Sequence, residues 1–594
     1  MKIHHYFTFP LLVAGLLIAG CTKPESNKAP MMKPEASTIT VFHNAKVYTV
    51  NEQQPWAEAV VVDGNKIVYV GDNTGAKKYM GNGAKSYDLT GKTLMPGFVS
   101  AHDHLISSKW ALGGVQLFDL NTMEEVLARV KQYAEDNPDL KVIRGIGWSA
   151  GKFGRDPLAA DLDKAVPDRP ALLLDFTVHD GWLNTKAMEM AGVTKDTPDK
   201  LAGVTFWVRD KDGNPTGAAI EGQWFKPFVD IGAWQPEEMV SDSVDSYFTL
   251  AASSGKTTIQ NTGILTPNLI DTHGGMEKDF ETILAMLHKR ELAGTLQLRV
   301  IPQPMLKSNT ADPKRLAAFT KKMREKYNSD MLRVQSIKIH PEGNWTAETA
   351  PFLKPYESGK MGTFNVPPEL IAAQILEAAK LGLDCSVHSD SSGSAKAFID
   401  GVVAAKEAGF TDNRSAIHHA TWLPKETRDR IIKYKIPVNA TPSFTTDWSG
   451  TDDNAIRLLG QKRVDEMFGY YQNLYHAGVS VSIASDVPST PASMQAPFYV
   501  MQVAATNVQP EDPNSKPFPP GRDVLTIAEA IRAHTIIPAW QLRMEDKIGS
   551  LEVGKLADLV VVDRNPLELK PTELADVKVL ATMLDGKFTH NTGL

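Results

Sequence analysis

Eight short apolar runs recur between residues 93 and 484, and most of them stop at a polar or ionisable residue. They are Thr93–Ser100, Thr257–Gln260, Leu296–Ile301, Val334–Ile339, Leu383–Val387, Ser415–His418, Ile436–Asn439 and Val479–Ala484. Amphipathic stretches of helical period separate the later ones, for example Pro367–Leu381, Ala395–Ala408 and Lys425–Lys433. Repeated strand–helix units give a parallel sheet with right-handed crossovers. Eight such units predict an α/β fold of the closed (β/α)8, TIM-like barrel kind. An open doubly wound sheet is the competitor, but no Gly-rich dinucleotide loop follows the first strand.

Both ends of the chain read differently. From Thr38 onward short strands follow one another: Val41-Phe42, Ala45–Tyr48, Ala59–Val62, and Lys66–Val70 after a turn at Asp63-Gly64. Leu556–Val562 and Val577–Met583 have the same character, with a turn at Asp585-Gly586. One small β-sandwich subdomain built from 38–94 and 541–594 is the simplest arrangement, with the barrel over 95–540. About 110–236 holds too many residues for one crossover helix. This interval is expected to be an inserted cap carrying Trp148, Trp182, Trp207 and Trp224.

The first residues belong to targeting rather than to the fold. Lys2 precedes an apolar run, Phe7–Ala19, shorter than the roughly 20 residues that span a bilayer. Residues 1–21 therefore read as a signal peptide. The small residues of Ile18-Ala19-Gly20 directly before Cys21 resemble the lipobox of bacterial lipoproteins, which implies lipidation of Cys21 and a chain facing the periplasm. Residues 22–37, polar and bearing Pro and Lys, then form a flexible tether. With Cys21 acylated, Cys385 is the one remaining thiol, and its apolar surroundings mark a small buried hydrophobe.

Composition excludes one large class of partner. A net charge of −7 over 594 residues leaves no basic footprint for nucleic acid. The expected macromolecular partners are a membrane, through the lipid anchor alone, and a second copy of the chain in a homodimer.

Barrel enzymes carry reactive groups at the C-terminal ends of their strands. There this chain places His102 and His104, Lys338, His388, His418 and His419, and Asp486. Residues i and i+2 of a strand share a face, so the imidazoles of His102 and His104 can meet one ion, while Asp103 between them points away. Several imidazoles with a carboxylate suit zinc or a similar borderline divalent ion.

The run Thr93–His104 (TLMPGFVSAHDH) resembles the first-strand signature of the amidohydrolase superfamily. Ile548–Val561 (IGSLEVGKLADLVV) resembles its C-terminal signature. Cap motifs such as Val178–Asn184 are similar to the YtcJ-like branch, amidohydrolase family 3, which includes N-substituted formamide deformylases. The resemblance implies hydrolysis of a C–N bond in an amide, formamide or N-acyl group by hydroxide formed from cation-bound water. It implies one or two divalent ions, zinc first among them. His102 and His104 would hold one, His388 and His419 the other, and Lys338, as a carbamate, would bridge them. Asp486 would bind metal and move the proton, and His179 would sit by the substrate carbonyl. Trp148, Trp182, Glu221, His340 and Trp345 are further pocket candidates. Cyclic-amide opening, deamination, and a silent regulatory lipoprotein on the same barrel are the alternatives.

This chain departs from the family at three places. It has His418 where a Glu precedes the strand-six histidine, and a regular strand would let only one of His418 and His419 face inward. It has His340-Pro341-Glu342-Gly343 after Lys338-Ile339, where an aromatic or aliphatic residue and Asp-Gly are usual. Ser389–Gly393 replaces Ala-x-Gly-Asp.

Overall fold

The computed structural model describes residues 39–81, 83–106, 113–233, 242–266, 274–446, 451–490 and 492–594. The expected signal peptide, Cys21, the tether and Trp110 at the start of the cap lie outside them. Among the described residues no helix is long and apolar enough to cross a membrane.

Eight parallel strands carry the centre of the fold: β1 (Phe98–Asp103), β2 (Lys256–Asn261), β3 (Arg299–Pro302), β4 (Ser336–Ile339), β5 (Asp384–Ser389), β6 (Ala416–His419), β7 (Val438–Ala440) and β8 (Val481–Ile483). They lie in two arcs that follow sequence order. One runs β1–β2–β3, and the other runs from the short strand Met305–Leu306 through β4 to β8. The backbone N–H of His104 donates to the Val487 carbonyl at 2.8 Å, joining the far end of β1 to the chain just beyond β8. Helices such as Pro313–Lys326, Pro368–Lys380 and Ser392–Glu407 lie between consecutive strands. This is a TIM-barrel-like α/β arrangement.

Local chemistry explains where the elements start. Asp312 caps the 313–326 helix by accepting from the N–H groups of Lys314 and Arg315, and Pro313 suits its first turn. Ser391 caps the helix after β5, its hydroxyl accepting from Ser394 N at 3.2 Å. The run that departs from the family after His388 thus contains a helix start.

The strand expected over Thr93–Ser100 is two strands. Thr93–Pro96 pairs antiparallel with Leu559–Val562 and parallel with Lys46–Tyr48 in the sheet of the chain ends, and β1 begins only at Phe98. Gly97 makes the break: a Cβ there would lie 2.3 Å from the Thr257 side chain, so only glycine allows this approach. Met95 and Pro96, expected at the start of the barrel, thus pair with Val560 and Leu559 in the sheet of the chain ends.

Strands from both chain ends build a four-stranded and a six-stranded sheet. Phe42, Val60 and Val62 of the first meet Val47, Leu94, Val561 and Met583 of the second in one apolar core. The interval after β1 forms its own six-stranded sheet from residues 115–116, 143–148, 171–175, 181–183, 207–209 and 215–219. It packs around Leu117, Val130, Trp148, Leu162, Leu173 and Trp182.

Candidate metal centre

The strand ends converge. His102 and His104 reach the same oxygen, Asp486 Oδ1, with their Nε2 atoms at 3.2 and 3.3 Å. His102, Lys338, His388, His419 and Asp486 are all buried, and together with His104 they line one inner chamber. His340 and Trp345 line it too, and His179 enters it from the cap.

Backbone turns aim these groups. Asp486 and His419 have φ of 58° and 64°, and Val178 and Glu221 on the cap side have 64° and 51°. Left-handed conformations at residues with side chains cost energy and gather at functional sites. At His419 the turn has a direct consequence. The expectation that only one of His418 and His419 faces inward fails, because the strand stops being regular there. His418 Nδ1 shares a 2.8 Å hydrogen bond with His102 Nδ1, while the His419 ring lies 4.6 Å from the His102 ring between centroids. His419 Nδ1 also shares a 3.0 Å hydrogen bond with Thr441 Oγ1, and its ring stacks on Phe444.

Asp103 turns to the other face of β1, as the strand alternation requires. Its Oδ2 accepts from Lys256 Nζ at 2.8 Å and its Oδ1 from Ser485 Oγ at 2.6 Å. It thereby pins the residue next to Asp486.

Burial sets the charge states. It lowers the His102 imidazole to about 4, helped by the Lys338 ammonium. Burial likewise holds His340, His388, His418 and His419 well below the usual imidazole range. These rings are neutral near pH 7 and present lone pairs. Lys338 is brought down to about 7 by burial, against the pull of Asp486, so much of it is a neutral amine. Burial alone would raise Asp486, but the imidazoles around it hold its carboxyl well below the ordinary range.

His102 Nε2, His340 Nδ1, His388 Nε2 and Asp486 Oδ1 are buried without a hydrogen-bond partner. Each such atom costs about 1–3 kcal/mol if nothing meets it. A divalent ion satisfies lone pairs of this kind, and imidazole with carboxylate is a donor set that zinc takes. The residues fit a metal.

Some pocket candidates are elsewhere. Trp148 and Trp182 do not reach the chamber: they pack in the cap core, their indole N–H groups donating to the carbonyls of Leu173 and Leu158. The alternating face of the cap strands turns these large rings inward. Glu221 borders a second, outer cavity of about 680 Å³. There it accepts from His179 Nδ1 at 2.5 Å and from Lys307 Nζ at 3.0 Å. Burial would raise the Glu221 carboxyl, yet these two cations bring it down to about 2. Burial would lower His179, and Glu221 outweighs it to raise that ring. Trp224, Phe225, Val178 and Leu265 give the outer cavity apolar walls.

Lys307, Phe444, Thr441 and Asp390 were not singled out from the sequence. Asp390 Oδ2 lies 3.5 Å from His388 Nε2, and burial raises its carboxyl to about 6. A carboxylate two residues beyond a strand-end histidine was a signal available in the sequence.

A barrel-like scaffold whose strand ends gather imidazoles, a lysine and an aspartate defines a hydrolase. The chain belongs to the Amidohydrolase family, whose model matches residues 85–590. It is 26% identical over 560 residues to the N-substituted formamide deformylase of Arthrobacter pascens, covering 91% of this chain and 96% of that protein. It is 27% identical over 436 residues to the exoenzymes regulatory protein AepA of Pectobacterium carotovorum subsp. carotovorum, covering 72% of this chain and 90% of that one. Among solved structures, an uncharacterized metal-dependent hydrolase from Pyrococcus horikoshii shares the fold, with a TM-score of 0.69 at 21% identity over 90% of this chain and 99% of that one.

Proposed function

We propose that the chain is a metal-dependent amidohydrolase that cleaves a C–N bond other than a peptide bond, with the two arcs of strands forming one closed barrel around the reacting groups. The observation that carries this reading is the meeting of His102 Nε2, His104 Nε2 and Asp486 Oδ1, in which two of the three atoms are buried without a hydrogen-bond partner. These three residues would hold a divalent ion, zinc being the first candidate. Lys338, as a carbamate, and His388 and His419 are the further ligands that the family resemblance suggests. When bound, such an ion acidifies water enough for attack near neutral pH and polarises a carbonyl.

The chain's own groups supply the rest. Asp486 stands where it can take a proton at one carboxylate oxygen and deliver it to the leaving nitrogen. His179, held through Nδ1 by Glu221, presents its other nitrogen to the chamber and to the substrate carbonyl. Trp345 walls the inner chamber against the ring of Trp422. The apolar side of the outer cavity favours a substrate with a hydrophobic N-substituent, the kind of molecule that the name of the Arthrobacter relative describes. A panel of N-formyl, N-acyl and cyclic amides tests this: turnover restricted to N-substituted formamides supports the reading. Absence of hydrolysis across the panel by metal-replete protein contradicts it.

We further propose export and anchoring through a lipid on Cys21. Cys21→Ala should move the protein out of the membrane fraction, and unchanged sedimentation contradicts the anchor.

A further inference from the structure

A second group of imidazoles converges on the cap side of the chamber. One ring nitrogen each of His179, His340 and His388 lies within 4.8 Å of the others. They arrive from a cap turn, from the residue after β4 and from β5. The rings of His340 and His388 stack at 4.4 Å and 7°, and His179 lies 5.5 and 5.8 Å from them. His340 Nδ1 and His388 Nε2 are buried without a hydrogen-bond partner. Buried ring nitrogens without a partner cost free energy, and an electrophile shared between them would relieve that cost.

His179 supplies an independent observation. Its Nδ1 donates to Glu221, which leaves Nε2 as the nitrogen for its neighbours. Glu221 in turn accepts from Lys307. A carboxylate behind an imidazole fixes the tautomer and raises the basicity of the far nitrogen, which is how metal-binding histidines are supported.

We propose that His179, His340 and His388 form a cation site of their own, which takes a borderline divalent ion such as zinc and ties the cap to the barrel. The inference rests on the metal-dependent reading, changes its second ligand set by replacing His419 with His340 and His179, and gives His179 Nε2 to the ion in place of the substrate carbonyl. His419 has one nitrogen engaged by Thr441 and its ring against Phe444. Three imidazoles are a donor set zinc accepts, and they leave a coordination position free. His179 and His340 border both the inner chamber and the outer cavity, so an ion there stands on the path between them.

Titration of metal-free, full-length protein with Co²⁺, followed by visible absorption and calorimetry, tests the site. Wild type is expected to bind two equivalents. His340→Gln and His179→Gln should each lose one equivalent and keep the other, and His104→Gln should lose the other one. Glu221→Gln should keep both and weaken one by about 10–100-fold. If His340→Gln does not fold, Glu221→Gln carries the test, since it leaves all three imidazoles in place. Two equivalents at wild-type affinity in His340→Gln, His179→Gln and Glu221→Gln, with loss in His419→Gln, would overturn the triad and leave the proposed function standing. One equivalent in wild type, lost only in His104→Gln, does the same. No cobalt uptake at all overturns both.

Discussion

Two polar clusters sit back to back at the end of β1, and their difference separates structure from function. On one face Asp103, Lys256 and Ser485 are fully buried or nearly so, and the carboxylate oxygens of Asp103 both have donors at 2.6–2.8 Å. On the other face His102 and Asp486 are as deeply buried, but His102 Nε2 and Asp486 Oδ1 lack a hydrogen-bond partner. Equal burial with matched partners gives a clamp that holds β1, β2 and the end of β8 together. Equal burial with lone pairs left over gives a place for something to bind. The clamp's loss should therefore cost stability, and the open cluster's loss should cost chemistry.

The largest expected effect is on the open face. Asp486→Asn should lower kcat by about 10²–10⁴-fold, the usual worth of a positioned acid–base group, with little change in thermal stability. Steady-state kinetics beside a melting curve measures it, and a near-normal rate removes the proton-transfer role. On the closed face Lys256→Met leaves Asp103 buried and unpaired, which should cost about 3–5 kcal/mol in denaturant unfolding. A loss below about 1 kcal/mol would mean that the pair is no clamp.

Acid should distinguish the faces next. In metal-free protein the His102 ring titrates at about 4, against 6.5 when free. The unfolded chain takes up this proton first as pH falls. The stability contributed by the neutral ring is therefore complete above about 6.5 and is lost progressively down to about 4, by about 3 kcal/mol for this one group. Urea unfolding of the metal-free protein at pH 7.5 and 5 should show the decline, and saturating zinc should suppress it. A flat profile contradicts the neutral, buried imidazoles. The smallest effect belongs to the cap core: Trp182→Phe should cost about 1–3 kcal/mol and leave KM unchanged. A raised KM would return Trp182 to the pocket.

Much of this was legible in the chain. Every one of the eight expected strands has its counterpart, because buried parallel strands are apolar runs that end abruptly. His102, His104, Lys338, His388, His419 and Asp486, named from strand ends and resemblance, share one chamber. What escaped depends on the third dimension. The break at Gly97 comes from Thr257, far away in sequence, pressing on a glycine. The inward turn of both His418 and His419 comes with two consecutive left-handed residues, His419 and Ala420, which strand periodicity cannot foresee. Trp148 and Trp182 were expected at the pocket because large aromatics wall pockets and fill cores with the same composition, and here they fill the cap. The Lys307–Glu221–His179 chain joins residues 86 and 42 positions apart, so no local pattern contains it.

Metal content tests the central claim most directly. Elemental analysis of the purified protein should find one to two divalent ions per chain, and the His102→Ala/His104→Ala double variant should hold one fewer and show no turnover. A metal-free wild type that hydrolyses its amide at the full rate would contradict the account.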